Sequence, residues 1–107
     1  MINSRSKGKR GELQAIGVIK DAGWKDAART SDGRRQHGRG DVRNGPEATH
    51  LELKWRERVE IVKWFAQATD EADGSLPVVA FRTNATPWLA VLPFDELLAL
   101  LRLREAS

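Results

Sequence analysis

Apolar residues recur at two different periods along this chain, and the switches between them mark out its elements. Residues 6–22 carry Leu13, Ile16, Gly17 and the pair Ile19-Lys20 along one stripe of period 3.6, which predicts a helix closed by Ala22-Gly23, with Ser4 or Ser6 as its cap. Residues 24–30 follow as a strand whose only apolar members are Trp24, Ala27 and Ala28. The pattern then lapses: residues 31–40, Ser-Asp-Gly-Arg-Arg-Gln-His-Gly-Arg-Gly, have no periodicity and predict a loop. Period two takes over at residues 48–55, where Thr49, Leu51, Leu53 and Trp55 share one face of a strand and His50, Glu52 and Lys54 the other. The short run 41–43, the turn Asn44-Gly45-Pro46-Glu47 and this strand together predict a β-hairpin. Its apolar face should pack on helices, leaving the charged face to a cleft or to solvent.

The second half repeats the alternation. Residues 56–73 predict a helix with Ile61, Val62, Phe65, Ala68, Thr69 and Ala72 as its buried stripe and Asp73-Gly74 as its stop. Residues 77–81 contain the β-branched run Val78-Val79-Ala80-Phe81, suited to a central strand buried on both faces. After a turn at 83–87 and a returning strand at 88–92, Pro93 opens a last helix at the favoured first-turn position, with Asp95 and Glu96 at its positive end. Phe94, Leu97, Leu98 and Leu101 form its stripe, which Leu100 and Leu103 widen. Two readings of so wide a stripe stay open, core packing and a dimer interface. The order predicts an α/β domain with a central mixed β-sheet of about five strands flanked by helices.

Size and composition set bounds on this picture. At 107 residues the chain predicts one domain spanning 1–107. No apolar run approaches the roughly 20 residues that span a bilayer, and residues 1–5 lead into no signal-peptide core, so a cytoplasmic protein with no membrane partner is expected. Zero cysteines exclude disulfides and thiolate metal sites, so any metal must be held by oxygen or imidazole. A net charge of +3 is moderate, but its distribution is lopsided. Lys7, Lys9 and Arg10 open the chain, and Arg29, Arg34, Arg35, Arg39 and Arg43 crowd the polar segment. Such clusters are the footprint of a phosphate backbone, with a merely solvated basic face as the plain alternative.

The candidate chemistry lies where strand and loop meet. Asp41 ends the arginine-rich loop, and Glu52 and Lys54 point the same way from the next strand. A chain with 15 acids carries about one acid-any-lysine triplet by chance. Context strengthens this one, because a second acid and a basic loop adjoin it. Asp41 and Glu52 would offer anionic oxygens to a hard cation, with the Leu53 carbonyl as a third ligand, and Lys54 would align an attacking water and stabilise charge on a phosphoryl group. Glu12, one turn after the basic stretch 7–10, is either a helix-dipole partner or a further site residue.

In these residues the chain resembles the PD-(D/E)XK nucleases, and among them the archaeal-type Holliday-junction resolvases, phage-encoded relatives included. The resemblance rests on Gly8-Lys9-Arg10-Gly11-Glu12, Gly40-Asp41-Val42, Glu52-Leu53-Lys54 with Arg56 following, and Leu92-Pro93-Phe94-Asp95. It implies a restriction-endonuclease-like core with Glu12, Asp41, Glu52 and Lys54 as catalytic positions. Magnesium, with manganese able to substitute, would be held by Asp41, Glu52 and the Leu53 carbonyl, and by Glu12 through water. The implied partners are branched double-stranded DNA, a four-way junction above all, and a second copy in a homodimer. Lys7, Lys9, Arg10, Arg34, Arg35, Arg39 and Arg56 would form the DNA surface. One departure stands out: several such resolvases carry a serine shortly before the strand-end aspartate, where this chain has His37-Gly38-Arg39-Gly40. Nucleases for other branched, nicked or duplex DNA, and a non-catalytic DNA-binding module, are the competing readings.

Overall fold

The computed structural model describes residues 4–30 and 39–107, with side chains described from residue 8 onward; most of the expected loop at 31–40 lies outside these residues. The elements in order are α1 (Ser4–Asp21), β1 (Ala28–Arg29), β2 (Val42–Arg43), β3 (Thr49–Trp55), α2 (Ile61–Ala72), β4 (Leu76–Arg82), β5 (Leu89–Val91) and α3 (Phe94–Ala106). Helix and strand types follow the hydropathy periods. The strands form an α/β arrangement of two sheets, β1-β2 and β3-β4-β5, where one central sheet of about five was expected.

The three-stranded sheet is mixed. β3 and β4 run parallel, joined by α2 as the crossover that parallel neighbours require, and β5 returns antiparallel to β4. The register places Glu52 beside Val79 and Lys54 beside Phe81. Residues paired in this way share a face of the sheet. On one face Leu51 and Leu53 pack with Ala15 and Ile16 of α1 and with Ala27 and Val42. On the other, Val79 packs under Trp64 and Ala68 of α2. The charged face of β3 is therefore roofed by α2 instead of opening directly to a cleft or solvent, and His50 and Glu52 are only 2% and 3% exposed.

The expected hairpin does not form. β2 pairs antiparallel with β1, matching Ala28 to Arg43 and Arg29 to Val42. Residues 39–41 instead run beside β3 in parallel: Asp41 N–H donates to the Leu51 carbonyl at 2.7 Å, and Leu51 N–H donates to the Arg39 carbonyl at 3.2 Å. Gly40 makes this approach feasible. Its φ is +69°, and a Cβ there would run into the Leu51 carbonyl. Between β2 and β3 the chain reverses through Asn44 and Ala48, both with positive φ, at 58° and 52°.

α2 begins at Ile61 and not at 56, and its buried line is Trp64, Ala68 and Ala72, with Ile61 and Phe65 alongside. Val62, expected inside, is 81% exposed, and Thr69 is exposed with its hydroxyl donating to the Phe65 carbonyl. The stop is as expected, since Asp73 caps the helix in the left-handed region at φ 45° and Gly74 follows at 89°. In β4 only Val79 is fully buried, so the strand is not covered on both faces along its length. α3 follows Pro93, which occupies the cap position, and buries none of its residues: Phe94, Leu98, Leu100, Leu101 and Leu103 are all exposed. No helix among the described residues is long and apolar enough to cross a membrane.

Candidate functional site

Asp41 enters the site from the residue just before β2, and its backbone is pinned on two sides. Its N–H donates to the Leu51 carbonyl, and its own carbonyl accepts the Thr30 N–H at 3.1 Å. The side chain turns onto β3, where Oδ2 accepts the Leu53 N–H at 2.8 Å in a buried setting. The N–H and C=O of one strand residue leave by the same edge, so the Leu53 carbonyl also lies on the edge that Asp41 lines. Asp41 thus sits at the backbone of the residue between Glu52 and Lys54. It is 5% exposed, which makes the geometry stiff.

Glu52 and Lys54 leave β3 on the α2 side. Glu52 accepts a hydrogen bond from His50 Nε2 at 2.8 Å, if that nitrogen carries the ring proton, and Glu71 of α2 places Oε2 3.8 Å from the same nitrogen. Lys54 is half-buried beside Phe81 in the strand register. Glu12 occupies the α1 side, where Oε2 takes the Arg29 Nε–H at 2.9 Å. Arg29 pairs with Val42 in the β1-β2 ladder, and Thr30 next to it bonds to Asp41. Glu12 is therefore linked to the neighbourhood of Asp41 through Arg29 and β1.

The expected basic surface divides into unlike parts. Lys9 and Arg10 are exposed on α1, and the Arg10 guanidinium lies 5.7 Å from the Trp55 ring centre. Arg82 stacks on the same ring at 4.6 Å, and Trp55 donates its Nε1–H to Asn84 at 2.9 Å. Gly11 permits the close packing of α1 here, because a Cβ at that position would stand 2.9 Å from the Trp55 Cβ. Arg56 donates to the Trp55 carbonyl at 3.3 Å. Arg39 turns inward, giving an Nη2 hydrogen bond to the Gly45 carbonyl at 3.1 Å, and so fastens the 44–48 turn. Arg34, Arg35 and the side chain of Lys7 lie outside the described residues, as does His37.

Sequence reasoning passed over Glu71 and Arg29 as site residues. Glu71 left a faint signal, lying between Ala68 and Ala72 at the edge of the buried line of α2. Its meeting with His50, however, depends on how α2 crosses back over β3.

No family model matches the chain, and no curated protein or solved structure is significantly similar to it.

Proposed function

We propose that this chain is a metal-dependent DNA endonuclease that resolves four-way junctions, a single nuclease domain working as a homodimer on nucleoid or viral DNA in a cell's cytoplasm. The observation that carries the reading is the Asp41–Leu53 hydrogen bond at 2.8 Å, which fixes a buried carboxylate against the strand bearing Glu52 and Lys54. Two carboxylates and a strand carbonyl are the hard oxygen donors that magnesium or manganese selects, so the donor set fits. Asp41, Glu52 and the Leu53 carbonyl would hold the ion, with Glu12 acting through water. Bound there, the ion supplies positive charge against the charge that builds on the phosphoryl oxygens during in-line hydrolysis.

The chain's own groups divide the remaining work. Asp41 and Glu52 would hold the ion that faces the scissile phosphate, and the Lys54 ammonium donates to the attacking water or to a phosphoryl oxygen. Lys9, Arg10 and Arg56, with Lys7, Arg34 and Arg35, draw the backbone in without reading bases, which suits recognition of branch shape. Arg39, bonded to the Gly45 carbonyl, serves the 44–48 turn instead. The Gly40–Leu51 bridge supports treating the two sheets as one restriction-endonuclease-like core of five strands. The unburied leucines of α3 support a second copy as its cover. Two sites related by a two-fold axis suit paired cuts.

A second reading has its own support. Glu12 is engaged by Arg29 and Glu52 by His50, as in a DNA-binding module whose acids are structural. A synthetic four-way junction and a linear duplex of matched sequence, each with magnesium or with EDTA, separate the two. The nuclease gives symmetric nicks on the junction in magnesium only, leaving 5′-phosphate and 3′-hydroxyl ends. Cutting of the linear duplex alike points to a nuclease of broader substrate, and tight binding without cutting favours the module.

A further inference from the structure

We propose that His50, Glu52 and Glu71 form a binding site for a zinc-class divalent ion, distinct from the Asp41 position but sharing Glu52 with it. The three ligand atoms lie within 4.8 Å of one another. His50 Nε2 is 2.8 Å from Glu52 Oε1 and 3.8 Å from Glu71 Oε2. Ligands at about 2.0–2.2 Å in a tetrahedral set stand roughly 3.4 Å apart, so the observed pair of spacings brackets what a zinc ion needs. Small rotations of the two Glu side chains close the difference. One imidazole nitrogen with two carboxylates, and a fourth position left for water, is a set that zinc accepts, and the imidazole distinguishes it from an all-oxygen magnesium site.

The fold builds this set from two elements. His50 and Glu52, two apart on β3, share a face by strand alternation, and Glu71 comes down from the last turn of α2. The His50 side chain is only 3% exposed, and its Nδ1 is buried with no hydrogen-bond partner. The ring is therefore oriented by its packing and by the Nε2–Glu52 contact at 2.8 Å, which turn Nε2 toward the two carboxylates. A neutral ring ligates through Nε2 with its proton moved to Nδ1. Two carboxylates drawn to one nitrogen also repel each other, and a divalent ion at their meeting point relieves that repulsion. The Glu71 side chain is 40% exposed, which leaves a way in from solvent. A loaded site ties the end of α2 to β3.

Calorimetric titration of the full chain, freed of metal with EDTA, with zinc chloride tests this, alongside thermal melting and the visible spectrum of the cobalt-substituted protein. One zinc should bind per chain and raise the melting temperature, and cobalt should give the intense visible bands of a low-coordinate site. Glu71→Gln, a change at a half-exposed position, should weaken zinc binding by about 10- to 100-fold. His50→Gln should do the same and remove the nitrogen contribution to the cobalt spectrum, whereas Asp41→Asn should leave zinc affinity within about twofold. The proposal is overturned by a chain that binds no zinc, by unchanged affinity in Glu71→Gln, or by a loss in Asp41→Asn that Glu71→Gln does not share. A hydrogen-bonded His50–Glu52–Glu71 cluster with no metal role would give the first of these results.

Discussion

The Asp41 carboxylate accepts the backbone N–H of Leu53 at 2.8 Å across the gap between two sheets, and this one contact joins the end of the arginine-rich segment to the strand carrying Glu52 and Lys54. It also separates two properties that mutation can test apart. Asp41→Asn keeps an oxygen to accept the Leu53 N–H, removes the charge and replaces the other oxygen by an amide NH2. Melting temperature and junction binding should stay close to the parent, while cleavage falls by two orders of magnitude or more. Undiminished cutting would remove Asp41 from the site. Asp41→Ala leaves the buried N–H unpaired, at a cost of about 1–3 kcal/mol that denaturant titration would register.

Lys54→Ala asks a different question of the same strand. Lys54 is half-buried and lies at the solvent end of a face whose other members, His50 and Glu52, are buried. Losing it should leave the fold and junction affinity nearly intact and abolish cutting, as followed by nicking of end-labelled junction strands. Parental cutting rates would confine Lys54 to a structural role.

Gly40→Ala should destabilise the chain by at least about 1–3 kcal/mol, because the new Cβ meets the Leu51 carbonyl and the residue must hold a φ of +69°. Gly8→Ala on α1, where a Cβ would meet nothing within 4 Å, serves as the control and should be neutral or mildly stabilising. Urea midpoints for the pair decide the matter; equal midpoints would mean that residues 39–41 do not need the parallel contact with β3.

Much of this architecture was legible in the sequence, and the exceptions share a cause. Alternation over 49–55 assigned Leu51 and Leu53 to one face and His50 and Glu52 to the other, and the structure keeps that division. Local stop signals worked equally well at Asp73-Gly74. What failed was partner choice. An Asn-Gly turn followed by a strand suggested a hairpin, yet β2 found β1, and the bond between Gly40 and Leu51 runs parallel, which no local pattern encodes. The α2 stripe was misplaced because Val62 and Thr69 fit the 3.6 period as well as Trp64 does, and only packing against Val79 chooses between them. Asp41, Glu52 and Lys54 read as one cluster from their places on neighbouring strands. That His50 stands between Glu52 and Glu71 follows from the return of α2 over β3, a long-range event.

α3 offers a test of assembly that leaves the monomer's interior alone. None of its residues is buried, so Leu98→Glu with Leu101→Glu should cost the isolated chain little stability. If a second copy covers this helix, the double variant should sediment as a monomer at concentrations where the parent is a dimer, and junction cleavage should lose its paired cuts. Removing the chain from Pro93 onward should give a monomer or an insoluble product. A well-folded, active dimer of either form would place the interface elsewhere.

Salt dependence distinguishes basic residues that meet phosphate from those that are only exposed. Arg10 lies 5.7 Å from the Trp55 ring centre and points from α1 with no carboxylate described beside it, whereas the Lys63 ammonium stands 3.9 Å from Glu60 on α2. Each phosphate contact adds about one counterion to the slope of log affinity against log salt. Arg10→Ala should therefore reduce that slope for junction binding by about one and weaken four-way and duplex DNA by the same factor, since a phosphate contact carries no sequence information. Lys63→Ala should leave the slope as it was. Equal reductions from the two changes would mean that binding responds to net charge alone, and that α1 has no special place against the DNA.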